Sequence, residues 1–251
     1  KGPFTLTNYA RNFYRPPGYE QVEWTFPISY KGMSFIRPIP ETQALMTLID
    51  QLKPNFMFSL HNAAFGGAYW YLNKNIPDLC SELENSAVRQ SIPLQLGEPE
   101  AAYIEKFSPA VHSMLSMTAY YDYMEKYTGK MPETEMQCGT SSSDYAESVC
   151  DCTSMMAELP YFSDSRSEDL SLTNVVRRES IKANLELTEK HYEFLRRIWS
   201  GISSFFSDSN PFHAFVETCI QGADSNYAAR MNQLEELEFS RFATVSEHFH
   251  N

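Results

Sequence analysis

The sequence predicts an α/β layered domain, and three observations carry that reading. Segments of helical periodicity alternate with short apolar runs that lack it, in the order helix, strand, strand, helices, strand, helix. Hydrophobic residues make up 43% of the 251 residues and charged residues 21%, the balance of a globular chain with a sizeable core. No internal repeat, low-complexity tract or clear linker divides the chain.

Each element follows from local chemistry. Residues 1–40 are rich in Pro and aromatics, with Pro16-Pro17-Gly18 and Arg37-Pro38-Ile39-Pro40 as breakers, and read as extended segments and loops. Pro40-Glu41-Thr42 opens a helix with an acidic first turn, and Ala44, Leu45, Leu48, Ile49 and Leu52 form its apolar positions. Lys53-Pro54 stops it. The run Asn55-Phe56-Met57-Phe58-Ser59-Leu60 lacks helical period and reads as a buried strand. Gly66-Gly67 bends the chain before Ala68-Tyr69-Trp70-Tyr71-Leu72, a second strand. Helices are expected at about 78–90, 100–127 and 173–200, the last with Val176, Ile181, Leu185, Tyr192, Leu195 and Ile198 at helical spacings. Gly139 to Asp144 reads as a small-residue loop, and Thr153 to Leu159 as a strand ending in a carboxylate before Pro160. Residues 207–251 read as a C-terminal helical appendage with an acidic Leu234–Phe239 patch.

Charge narrows the partners. The balance of 20 Lys and Arg against 32 Asp and Glu is −12, which repels phosphate backbones and anionic lipid. Neither nucleic acid nor a membrane is therefore an expected partner, and no apolar run reaches the length of a membrane helix. The five cysteines, Cys80, Cys138, Cys150, Cys152 and Cys219, are odd in number and scattered. They read as free thiols, which points to a reducing, cytoplasmic location. The chain opens Lys1-Gly2-Pro3-Phe4 without an initiator Met, as a fragment, a processed form or part of a longer protein would, and a signal peptide upstream stays open.

Two places set an ionisable residue at the end of an apolar strand: Ser59-Leu60-His61-Asn62 and Met156-Ala157-Glu158-Leu159-Pro160. The carboxyl ends of strands in open α/β sheets form the ligand crevice. A neutral imidazole there ligates metal, and a partly desolvated Glu there works as a general base. Alone, each also reads as a satisfied buried His or a carboxylate capping a loop. Arg11, in Ala10-Arg11-Asn12-Phe13, suits a guanidinium that grips a carboxylate, or one stacked on Tyr9 or Tyr14. The histidines His112, His191, His213, His248 and His250 have no ligand spacing, and no P-loop, G-x-G-x-x-G or G-x-S-x-G motif occurs.

Taken in order, Ala-Arg-Asn-Phe, Pro-Glu-Thr-Gln-Ala-Leu, Phe-Ser-Leu-His-Asn, Ser-Ser-Asp-Tyr and Ala-Glu-Leu-Pro resemble the second half of the zinc metallocarboxypeptidases of the M14 family, over about residues 8–160. The step of 50 residues from Arg11 to His61 and of 14 from Asp144 to Glu158 match that family's spacings. The resemblance implies a mixed β-sheet sandwiched by helices, with the N-terminal part of the fold, and its His-x-x-Glu zinc motif, outside this chain. It implies a catalytic portion over 1–206 and an appendage over 207–251.

The resemblance also implies roles. His61 corresponds to the third zinc ligand, Glu158 to the general acid/base, and Arg11 with Asn12 to the grip on a substrate carboxylate. Ser143 and Asp144 correspond to the floor of the specificity pocket, and the small neutral Ser143 argues against a purely basic preference. The implied activity is zinc-dependent removal of the C-terminal residue from a peptide or peptide-like amide with a free carboxylate. The isolated chain is expected to be inactive without the missing segment. The alternatives are a zinc deacylase of N-acyl amino acids, with Ala10 standing where the family has a carboxylate-binding Asn, and a non-catalytic homologue that binds peptide ends.

Overall fold

A computed structural model of the chain describes residues 5–131, 135–162, 164–207, 209–236 and 240–250. In chain order its elements are α1 (Leu6–Arg11), β1 (Ile28–Tyr30), β2 (Met33–Phe35), α2 (Pro40–Leu52), β3 (Phe56–Phe65), β4 (Tyr69–Leu72) and α3 (Pro77–Arg89). Next come β5 (Lys106–Ser108), β6 (Val111–Ser113), α4 (Met117–Thr128), α5 (Ser142–Val149) and β7 (Thr153–Phe162). The chain ends with β8 (Leu172–Val176), α6 (Arg177–Ile202), α7 (Pro211–Glu236), β9 (Phe242–Thr244) and α8 (Val245–His250). The class is α/β.

The central sheet has five strands in the order β3-β7-β4-β6-β5. It is mixed: β3 runs parallel to β7 and β4 parallel to β6, while β7–β4 and β6–β5 are antiparallel. Alternation along the strands puts Met57, Ser59, His61, Met156, Glu158, Tyr69, Tyr71 and His112 on one face. The buried positions Trp70, Leu72, Val111 and Ala157 take the other. The main core gathers β4, β6, β7 and α3 around Tyr71, Leu72, Val111 and Cys80. A second cluster joins Met33 of β2, Met117 and Met124 of α4 and Ala229 of α7, and a third joins Phe26, Ile49 of α2, Ala146 of α5 and Cys152.

Helix α2 has the bounds its sequence dictates. Pro40 occupies its first turn, and Lys53 closes it in the left-handed conformation (φ 43°) with its N–H donating to the Ile49 carbonyl. Pro54 then prevents continuation. Strand β4 and helix α3 also fall where the apolar patterns put them, whereas β3 begins as expected but runs past Leu60 to Phe65 and is an edge strand with Phe56, Phe58 and Leu60 exposed, not a buried one.

Four further expectations are corrected. Residues 100–127 are not one helix: turns lead into the β5–β6 hairpin, and only Met117–Thr128 is helical. Pro109 sits at the hairpin turn, where a helix would have lost a hydrogen bond and met its ring. The expected helix from 173 begins four residues later, because Thr173, Val175 and Val176 are β-branched and pair with β9 instead. Strand β7 runs through Pro160 to Phe162. β4 pairs only with Met155–Glu158, so the N–H that proline lacks is not needed by that neighbour. Residues 5–40 hold the short helix α1 and the β1–β2 hairpin beside their loops.

The segment expected as an appendage is tied into the body. β9 pairs with β8, α7 lies against α4 and α6, and Ala229 and Leu234 are buried. Residues 237–239 of its acidic patch lie outside the described residues. No helix among the described residues is long and apolar enough to cross a membrane.

Candidate functional site

β3 and β7 are parallel neighbours, so their C-terminal ends emerge on the same side of the sheet. In that pairing His61 stands directly opposite Glu158. Their side chains meet, with Nδ1 of His61 3.3 Å from Oε1 of Glu158. Tyr69 of β4 pairs with Glu158 from the other side. Glu158 is only 7% exposed, whereas the His61 side chain is 47% exposed. The Glu158 carboxylate raises the His61 pKa above the ordinary histidine value, burial opposes it, and Glu23 adds to it.

The pair opens into a cleft of about 1260 Å³. Its walls come from α2, β3, β7, the N-terminus of α5 and the segment 95–100. Ser141 caps α5, its hydroxyl accepting from the Asp144 N–H at 3.1 Å. What read as a loop is thus partly the first turn of a helix. That turn delivers Ser142 and Ser143 to the cleft. Ser143 is buried, and its hydroxyl has no hydrogen-bond partner among the described residues. Such a group is a donor and acceptor open to water or to a ligand in the cleft.

Asp144 takes another direction. It is not among the lining residues, and Thr140 Oγ1 donates to its carboxylate, which Ser116 and the Met117 N–H also hold. Burial nevertheless keeps its pKa above the ordinary aspartate value. Arg11 and Asn12 close α1 and are exposed, with Asn12 Nδ2 donating to the Asn8 carbonyl at 2.7 Å. Neither lines the cleft. Arg15 does, its Nε donating to Gln21 Oε1 at 3.0 Å.

Two lining residues escaped sequence reasoning. Glu23 accepts from Ser142 N–H at 3.2 Å and from Ser142 Oγ at 3.0 Å. Burial raises its pKa, and those two bonds oppose the shift. Gln95 is buried, and its amide oxygen has no hydrogen-bond partner among the described residues. No motif marks either residue; both reach the cleft through long-range packing of chain from outside the strands.

One side of the cleft is the free edge of β3. Phe58 and Leu60, with Leu45, Leu48 and Leu52 of α2, give it an apolar margin. A carboxylate and an imidazole in contact at the polar end supply acid–base chemistry. Among the described residues no three His, Cys, Asp or Glu side chains converge to hold a metal ion. His61 alone does not complete a catalytic zinc site, which takes three protein ligands. No protein-family model, curated protein or solved structure matches the chain.

Proposed function

We propose that this cleft receives the C-terminal end of a peptide or peptide-like amide and that the full-length protein hydrolyses it in the manner of a zinc carboxypeptidase. The supporting observation is the in-register contact of His61 with Glu158 in the middle of two adjacent parallel strands, inside the cleft. Glu158, shielded from water, takes and returns the proton that amide hydrolysis moves. Arg15 is the guanidinium on the wall and binds the substrate carboxylate in this reading, the part expected of Arg11. The Ser143 hydroxyl meets the terminal side chain. His61 is one ligand of the metal the activity requires, and the others come from polypeptide outside these 251 residues. The cytoplasmic location belongs to the same proposal.

The test is the full-length gene product, assayed for bound zinc and against a panel of peptides and N-acyl amino acids. Bound zinc with release of C-terminal residues, abolished by Glu158→Gln, supports the reading. Unimpaired hydrolysis in that variant overturns it, cleavage confined to N-acyl amino acids replaces it with the deacylase, and peptide binding without hydrolysis replaces it with a non-catalytic binder.

A further inference from the structure

Adjoining the first cleft, with Glu98, Pro99 and Glu100 lining both, α4, α6, α7 and the segment Glu98–Tyr103 line a second one of about 640 Å³. That volume suits a small organic ligand. Tyr103, Tyr120, Tyr123, Tyr192 and Tyr227 supply most of its aromatic wall, and Arg230 of α7 lies among them.

Arg230 has an unusual position for a guanidinium in a chain of net charge −12. It is half-buried, and its Nη1 donates to the amide oxygen of Gln233, a neutral partner. No carboxylate forms an ion pair with it among the described residues, whereas Arg177, Arg196 and Arg241 pair with Glu98, Glu189 and Glu247. Burial makes the unpaired charge costly, in the direction of a lowered pKa. A desolvated cation with spare donors and no anion is half of an ion pair.

The chemistry of the other half can be narrowed. Glu98, Glu100 and Glu189 also line the cleft. Each is already committed, Glu98 to Arg177, Glu189 to Arg196, and Glu100 to the hydroxyls of Tyr69 at 2.6 Å and Tyr71 at 3.0 Å. None is free to neutralise Arg230, yet their combined field repels a doubly charged group more than a singly charged one. A carboxylate therefore fits better than a phosphate. The tyrosine wall adds an aromatic body to that carboxylate.

We propose that the α4–α6–α7 cleft is a second binding site, specific for a small aromatic carboxylate, with Arg230 as its anion-binding residue and the surrounding tyrosines as its aromatic cage. The proposal is independent of the chemistry at His61 and Glu158.

The experiment is calorimetric titration of the 251-residue chain with phenylacetate, with phenethylamine and inorganic phosphate as controls. Saturable binding of one phenylacetate per chain is expected, with Arg230→Met weakening it by about tenfold or more and Arg230→Lys by less. Circular dichroism checks that both variants fold. A second readout needs no variant: Cys219 lines the same cleft, so phenylacetate should slow its alkylation in the unaltered protein, followed by peptide mass mapping. Absence of saturable phenylacetate binding overturns the proposal. So does binding that Arg230→Met leaves intact, alkylation of Cys219 at an unchanged rate, or phenethylamine or phosphate binding as tightly as phenylacetate.

Discussion

His61 and Glu158 are 97 residues apart in sequence yet face each other at 3.3 Å, because β3 and β7 are parallel and in register at that rung. The carboxylate favours the protonated imidazole, so His61 should titrate above the ordinary value of 6.5. Its contribution to stability is then full below that value and is lost as pH rises through the folded-state pKa. With a chelator present, histidine NMR should give a midpoint above 6.5, and Glu158→Gln should bring it back down. An unchanged midpoint in the variant would show that another group sets the shift.

His112 makes the opposite case. It is fully buried, neither ring nitrogen has a hydrogen-bond partner among the described residues, and the rings of Tyr69 and Tyr71 lie 6.0 and 5.9 Å away. Burial, helped by the nearby charge of Lys106, lowers its pKa to about 4. A depressed histidine pKa costs stability progressively as pH falls from 6.5 toward about 4. His112→Leu should raise stability at pH 7 by about 1 kcal/mol, by removing the unpaired polar group. Its advantage should grow by on the order of 2–3 kcal/mol by pH 4, measured by urea unfolding at both pH values.

Glu247 anchors the C-terminal strand and helix. Burial pushes its pKa up, but Arg241, the Thr244 N–H and Arg177 outweigh burial and bring it down to about 2. Stability from such a group is present above the ordinary value of 4.5 and lost as pH falls through about 2. Glu247→Gln should therefore cost about 2 kcal/mol at pH 7, with the gap closing below pH 4.5. A gap that persists at pH 2 would mean that shape, not charge, is what the variant loses.

The free edge of β3 carries Phe56, Phe58 and Leu60 at 51%, 54% and 62% exposure, beside an unpaired backbone edge. Exposed apolar edge strands drive association. Sedimentation of the 251-residue chain should show self-association that rises with concentration, and Leu60→Lys should suppress it while changing stability by less than about 0.5 kcal/mol. Association unaffected by that charge would place the contact elsewhere.

Gly67 tests the close approach between β4 and the loop before the second cleft. A Cβ there would lie 2.0 Å from the Leu94 carbonyl carbon, where Ala68 bridges Leu94. Backbone cannot yield as a side chain tip does, so Gly67→Ala should cost about 2 kcal/mol or more in thermal unfolding.

Local chemistry was sufficient for the elements whose signals are local. Pro40 and Lys53-Pro54 set both ends of α2, and uninterrupted apolar runs marked β3, β4 and β7. The same runs led to His61 and Glu158, expected at strand ends and found in the middle of strands that run four residues further. Local pattern failed where a competing long-range pairing decided the outcome: Val175 and Val176 join β9 rather than α6, and Phe107 and Val111 flank a hairpin turn at Pro109. Strand direction and register, which bring His61 onto Glu158, depend on packing between distant segments, and a one-residue slip would have put them on opposite faces. The same holds for Arg15 lining the cleft while Arg11 stays in solvent, for Glu23 meeting Ser142, and for Arg230 left without a carboxylate. Periodicity records which residues avoid water; which of them meet is settled only when the sheet and helices close on one another.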